Sequence, residues 1–286
     1  GHRQGEHFNF RMCKSCNSVF LHNPVPKAKI SAYYPSHYLP YRGPSAWGKY
    51  AGFVKKSLEK VDLRRVRLLK SLRFKVETDI NILDVGCGKP TFLKMVKEKL
   101  NFNSTGIDFT NKGWETKEFR GVNLINSALE DYQSEQKFDV ITLWHYLEHD
   151  YELQATTKKL YDFLKPGGYL IIEVPDYRSI SLGLQRRYWQ GWHSPRHLTL
   201  FSYTGFQSLF ATDKWRIQRF LRYGTLDAFT LFWLGRMEKK GINWESAMES
   251  EFWPLVWLKI WTAPLFLFEK ILPLGIQTVI VQKRTP

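Results

Sequence analysis

The apolar positions change period along the chain. Across residues 48–75, Val54, Leu58, Val61, Leu68 and Leu72 recur at spacings that place them on one side of a helix. From residue 79 the pattern becomes short apolar runs separated by helical stretches. DINILDV (79–85), STGIDF (104–109), GVNLIN (121–126), FDVITLW (138–144) and YLIIEVP (169–175) read as strands. Residues 90–100 and 151–164 read as intervening helices. Pro90 suits a first helical position, where its missing N–H costs nothing. Further on, 203–213 predicts a helix, 215–223 a strand, 226–273 an apolar helical region and 275–284 a last strand. Continuous apolar strands alternating with helices predict an α/β fold with a mostly parallel sheet covered on both faces. Residues 1–45 carry several prolines and no period, and are expected to be irregular. The expected division is an N-terminal segment (1–47), an α/β domain (48–225 with 274–286) and an apolar helical insert (226–273).

Composition adds three constraints. Of 286 residues 43% are hydrophobic, enough to fill a core and to set disorder aside. The net charge of +15 is uneven: residues 1–75 hold 16 Lys or Arg against 3 Asp or Glu. That imbalance fits a phosphate-bearing substrate, an anionic membrane surface or nucleic acid, or simply a solvated helix face. Cys13, Cys16 and Cys87 are an odd set with one tight pair, unlike a secreted disulfide framework, and the opening GHRQGEHFNF has no apolar leader. A cytoplasmic protein is expected.

The main chemical signal is ILDVGCGKPTFL (82–93), a strand, a sharp turn and a helix. Gly86 and Gly88 lack a Cβ, so a ligand can approach the backbone, at the carboxyl end of a strand where parallel sheets bind ligands. A dinucleotide fingerprint needs a third glycine at position 91, which is Thr91. The acidic Asp84 disfavours a pyrophosphate and favours a cationic ligand.

Asp84, Gly86, Cys87 and Gly88 match the first motif of the class I S-adenosylmethionine-dependent methyltransferases, which this stretch resembles; Pro90 stands where that motif has glycine. The resemblance covers about residues 80–176. It implies a Rossmann-like fold whose seven-stranded, mostly parallel sheet has an antiparallel last strand, with S-adenosyl-L-methionine as methyl donor. It places Asp108 on the donor's ribose with Phe109 beside it, Ala128, Leu129 and Glu130 at the adenine, and Trp144 on the floor of the site. LKPGG (164–168) is a further shared mark. Tyr38, from a stretch that folds over the donor in relatives, is a candidate contact.

LWHYLEHD (143–150) resembles the E-x-x-E-H stretch of ubiquinone-type O-methyltransferases, with His145 at the first acidic position. His145, Glu148 and His149 also spell the H-x-x-E-H of inverted zinc peptidases. That motif needs both histidines on one helix face and a third ligand elsewhere, so no metal ligand is assigned, and a divalent cation stays an open alternative. WHSPRHLTLFS (192–202) resembles a W-x-x-x-P-R-H-L segment of bacterial methyltransferases near glycan or lipid biosynthesis. His197 is the candidate general base, with His145 and His149 as further catalytic candidates; a cap or packing role for His197 is equally open. MCKSCNSVF (12–20) resembles half of a small zinc ribbon. Two cysteines fall short of the four ligands of a structural zinc, so a degenerate remnant is expected.

The expected activity is methyl transfer to a small-molecule, glycan or lipid-linked acceptor. A nucleic-acid methyltransferase is an alternative, disfavoured because L-W-H-Y replaces the N/D-P-P-Y/F motif. A non-catalytic membrane-binding module with this fold is another. FWPLVWLKIWTAPLFLFEKILPL (252–274) is apolar, but charges and prolines interrupt it too often for a span. Trp253, Trp257 and Trp261 fall four apart. With the basic helix of 48–75 they fit peripheral contact with a membrane; a helical roof over the substrate pocket is the other reading.

Overall fold

A computed structural model describes residues 6–34, 42–74, 79–210 and 212–285. Tyr38 lies outside the described residues. In chain order the elements are β1 (Phe10–Met12), β2 (Val19–Leu21), α1 (Ala51–Lys70), β3 (Asn81–Val85), α2 (Thr91–Leu100), β4 (Asn103–Asp108), β5 (Asn123–Asn126) and β6 (Phe138–Trp144). There follow α3 (Leu153–Phe163), β7 (Leu164–Pro175), α4 (Ile180–Gln185), β8 (Thr199–Leu200), α5 (Tyr203–Phe210), β9 (Trp215–Leu221), α6 (Ala228–Lys240), α7 (Phe252–Phe266) and β10 (Ile276–Lys283).

Seven strands form the central sheet in the order β5-β4-β3-β6-β7-β10-β9. The first five of that order run parallel, and β10 is antiparallel to both β7 and β9. Strand residues are buried on both sides of the sheet, as the continuous apolar runs require. Leu83, Ile141, Leu143, Leu170 and Ile172 join one core cluster and Ile82, Val140, Ile171 and Ile280 another. Each fully buried Leu or Ile contributes about 1.5–3 kcal/mol of transfer free energy. Local signals set the helix ends. Asn101 closes α2 in the left-handed conformation (φ 55°), Gly241 closes α6 likewise (φ 69°), and the Asp227 carboxylate accepts the Phe229 N–H at 3.0 Å to start α6.

Two expectations are corrected. Residues 1–45 are not all irregular: β1 and β2 form a hairpin, and β2 pairs with β8 to complete a second, three-stranded antiparallel sheet. Val19 and Leu21 point inward and Phe20 outward, but so short an alternation is not readable against its proline-rich surroundings. The fifth long strand starts at Leu164 rather than residue 169, because Lys165–Gly168 are taken into β7 across a register shift opposite β6.

The region 226–273 supplies α6 and α7. With Trp47 they enclose a core of Phe229, Trp233, Met237, Met248 and Phe252. The opposite side of α7 faces water: Trp253, Trp257 and Trp261 are 56%, 60% and 80% exposed.

Candidate active site

The carboxyl ends of β3, β4 and β6 open into one cleft of about 2390 Å³, roofed by α1, α6 and α7. One wall is the loop after β3. Gly86 and Cys87 donate their N–H groups to the Ile107 carbonyl at 2.9 and 3.1 Å, which folds the loop back across β4. Gly86 has φ +71°, and a Cβ there would sit 2.6 Å from Cδ2 of Tyr146. Gly88 has φ +49°, and a Cβ there would meet nothing within 4 Å. The first glycine is thus required by its neighbour, while the second leaves open space beside the backbone.

Asp108 ends β4 facing this loop. Its Oδ2 accepts the Gly88 N–H at 2.9 Å and its Oδ1 the Thr110 N–H at 3.0 Å. Burial raises its pKa above the usual carboxylate value, and the backbone donors pull it partly back. Phe109 beside it is 62% exposed. Ser127 N–H donates to the Asp108 carbonyl at 2.9 Å and brings Ala128, Leu129 and Glu130 to the same rim; Leu129 is buried, and Glu130 is exposed and paired with Lys27.

Asp84 lies beneath, 3% exposed, accepting the Thr142 hydroxyl at 2.6 Å. Burial pushes it up to about 7, and Thr142 and the Arg65 charge act against that rise. Trp144 ends β6 with the Arg65 guanidinium 4.6 Å above its ring and Phe92 edge-on at 5.5 Å. Cys87 packs in the core behind the loop, where burial raises its thiol.

The other wall holds the histidines. His145 follows β6 in a left-handed conformation (φ 55°) that lays its ring between two fully buried carboxylates. Its Nδ1 is 3.4 Å from Glu148 and its Nε2 3.5 Å from Glu173. Burial alone would lower its basicity, but the two carboxylates raise it to about 9. A protonated imidazole has no lone pair to accept a proton. Glu173, in turn, accepts from the Thr225 N–H (2.5 Å) and hydroxyl (3.0 Å), from the Leu226 N–H (3.2 Å) and from the Thr278 hydroxyl (3.2 Å). Burial opposes its ionisation, yet His145, the Arg65 charge and the Thr225 N–H hold it down at about 2.

The structure brings His149 and His197 together with ring centroids 4.7 Å apart. His197 Nδ1 is 2.8 Å from the Gly191 carbonyl, and burial lowers the ring to about 3. His149 Nδ1 is 2.9 Å from the Arg196 carbonyl and is likewise lowered by burial. The Leu198 N–H donates to the Glu148 carbonyl at 2.7 Å, tying the segment 192–202 to the turn after β6. Cys13 and Cys16 lie in the turn between β1 and β2 as free thiols, Cys13 Sγ 3.1 Å from the Ser15 hydroxyl. Among the described residues, the grouping able to hold a metal ion is Glu148, His149 and His197, not the cysteine pair.

Three participants were not singled out from the sequence. Arg65 reads as one more basic residue of a basic helix, and Tyr146 is known only through its contact with Gly86. Glu173 did leave a signal, as the sole acid inside the apolar run YLIIEVP.

A family model described as a methyltransferase domain matches residues 57–214. Over 91 residues the chain is 30% identical to a malonyl-[acyl-carrier protein] O-methyltransferase of Calditerrivibrio nitroreducens, covering 32% of this chain and 36% of that protein. Over 101 residues it is 31% identical to a ubiquinone biosynthesis O-methyltransferase of Rickettsia felis, covering 33% and 41%. The matches therefore span well under half the length of these curated relatives. Coclaurine N-methyltransferase, crystallised with N-methylheliamine and SAH, has a similar fold, with a TM-score of 0.51 at 13% identity over 78% of this chain and 72% of that one. This similarity of fold, together with the seven-stranded sheet and its antiparallel β10, bears out the Rossmann-like architecture. With more than half its length matched by that model, the chain belongs to the methyltransferase-domain family.

Proposed function

We propose that this protein transfers the methyl group of S-adenosyl-L-methionine to a small-molecule, glycan or lipid-linked acceptor. The observation that carries the reading is the loop at Gly86–Gly88, with Asp108 fixed against it and open space beside Gly88. That cradle fits an adenosyl donor. Asp108 keeps further lone pairs for ribose hydroxyls, Ala128–Glu130 offer backbone for the adenine, and Phe109 covers it. Asp84 supplies negative charge for a cationic ligand, while Arg65 and Trp144 line the floor. When bound, the donor supplies a sulfonium-linked methyl carbon, to which an acceptor lone pair bonds as the carbon–sulfur bond breaks and sulfur keeps the electron pair. The chain's part is to align the two and exclude water. His197, held neutral, is placed to take an acceptor proton, and the His145 charge to steady an anion beside it.

In this reading residues 48–225 with 274–286 form the catalytic domain, and the insert 226–273 roofs the acceptor end. A second observation favours a lipid setting: the indoles of α7 are exposed, and so is Phe53 of α1, whose ring packs against Phe252 at the start of α7. No helix among the described residues is long and apolar enough to cross a membrane, so contact through this face would be peripheral. Isothermal titration with S-adenosyl-L-methionine tests the donor assignment. One site is expected in the wild-type protein, weakened at least ~10-fold in Asp108→Ala; no heat of binding in the wild type overturns it.

A further inference from the structure

Glu148, His149 and His197 meet at the acceptor end of the cleft with their candidate ligand atoms all within 4.8 Å of one another. Glu148 is fully buried, and neither of its carboxylate oxygens has a hydrogen-bond partner among the described residues. The protonated His145 has its Nδ1 3.4 Å away, and the neutral His197 its Nε2 4.0 Å away. An unsatisfied buried carboxylate is costly, and every such group asks for a reason.

The two histidines supply one. The Nδ1 atoms of His149 and His197 each face a backbone carbonyl, at 2.9 and 2.8 Å. A carbonyl can only accept, so both Nδ1 atoms carry the proton. In a neutral ring the remaining nitrogen, Nε2, then presents a bare lone pair. One ligand atom from each of the three groups lies within 4.8 Å of the other two, and the His145 charge beside them is divided between Glu148 and Glu173, so a further cation would balance the carboxylate and the ring lone pairs. Donation from one ring nitrogen to a carbonyl is also how metal-binding histidines are oriented.

We propose that Glu148, His149 and His197 form a divalent transition-metal site with two imidazole ligands and one carboxylate. The inference rests on the methyl-transfer reading for its use, because an open coordination position there would take the acceptor's hydroxyl oxygen. The set is not the contiguous H-x-x-E-H, since His145 is occupied between Glu148 and Glu173 and the third ligand comes from the segment before β8. Ligands at about 2.1 Å on a tetrahedral zinc lie about 3.4 Å apart, so the ion draws the three groups inward. Two nitrogens and one carboxylate oxygen suit zinc, and three protein ligands leave room for a substrate atom. A bound hydroxyl releases its proton more readily, to solvent at the cleft mouth, and the resulting oxygen is the better nucleophile. With the ion in place His197 is a ligand rather than the base, and the ion's acidifying of the hydroxyl takes over that role.

The test is metal binding by the tag-free, chelator-treated chain, without donor or acceptor. Titration with Zn²⁺ followed by calorimetry, and with Co²⁺ followed by visible absorption, is expected to show one ion per chain. His197→Ala and Glu148→Gln are expected to weaken it ~100-fold or more, while Cys13→Ser/Cys16→Ser keeps it. His197→Gln and thermal melts of each variant show that the fold persists. A wild-type chain that takes up neither ion overturns the site, as does binding kept in His197→Ala but lost with the two cysteines. Donor titration is read separately: metal binding without S-adenosyl-L-methionine binding leaves this site standing and removes the methyl-transfer reading.

Discussion

The two walls of the cleft handle polarity in opposite ways. On the loop wall, each of the two carboxylates has hydrogen-bond donors: Asp108 accepts the Gly88 and Thr110 N–H groups, and Asp84 the Thr142 hydroxyl. On the histidine wall, charges are gathered from β6, β7 and the segment before β8, and Glu148 is left without hydrogen bonds. The first wall is rigid and complete before any ligand arrives. The second is held at electrostatic cost, the condition in which an incoming group finds work to do. In the proposed reading a fixed cradle serves the donor, and the acceptor chemistry is assembled from distant parts.

The largest expected effect breaks the rigid wall. Gly86→Val puts a branched side chain at φ +71° and into the Tyr146 ring, so donor binding by calorimetry should be lost and the melting temperature should fall, the strain costing on the order of 1–3 kcal/mol. A variant binding normally would show that the loop is not the cradle.

Asp84 sharpens the contrast, because burial raises it to about 7 despite its hydrogen bond to Thr142. Its acid form is favoured in the folded protein, about 7 against 3.8 unfolded, so its burial costs nothing below pH 3.8 and its full amount above about pH 7. Asp84→Asn should therefore melt higher than wild type at pH 8, with the gap closing toward pH 4. The same variant should bind the donor more weakly at pH 8, a trade of function for stability. Equal melting temperatures at pH 8 would contradict the burial cost.

Glu173 tests the histidine wall. Glu173→Gln keeps the shape but removes one of the two charges on His145, so methyl transfer at saturating donor should drop ~10-fold or more while donor affinity stays within about twofold. A change in donor affinity alone would place Glu173 on the wrong wall. The smallest effect belongs to the outer face of α7. Trp257→Ala/Trp261→Ala should reduce flotation with anionic vesicles by several-fold and leave donor binding unchanged; undiminished flotation would remove the lipid setting.

The same contrast explains what was legible from the sequence. The loop wall is contiguous, so Asp84, Gly86 and Gly88 announce themselves within five residues, and Asp108 follows at the end of the next strand. The order of strands and helices was readable because buried parallel strands are apolar throughout. The histidine wall depends on contacts between segments some fifty residues apart, and no local pattern tells which carboxylate His145 will meet. The β1–β2 hairpin was missed for the same reason, since its partner β8 lies far along the chain.

That hairpin has a consequence for biosynthesis. β2 pairs with residues 199–200, roughly 180 positions later. At ribosomal rates of about 5–20 residues per second the hairpin waits some 10–40 seconds with an open edge before its partner is made. An exposed strand edge recruits other chains. Newly made protein is thus open to misassembly at residues 10–21 until residues 199–200 emerge, and a chaperone bound to that hairpin would guard the step on which the His197 segment closes.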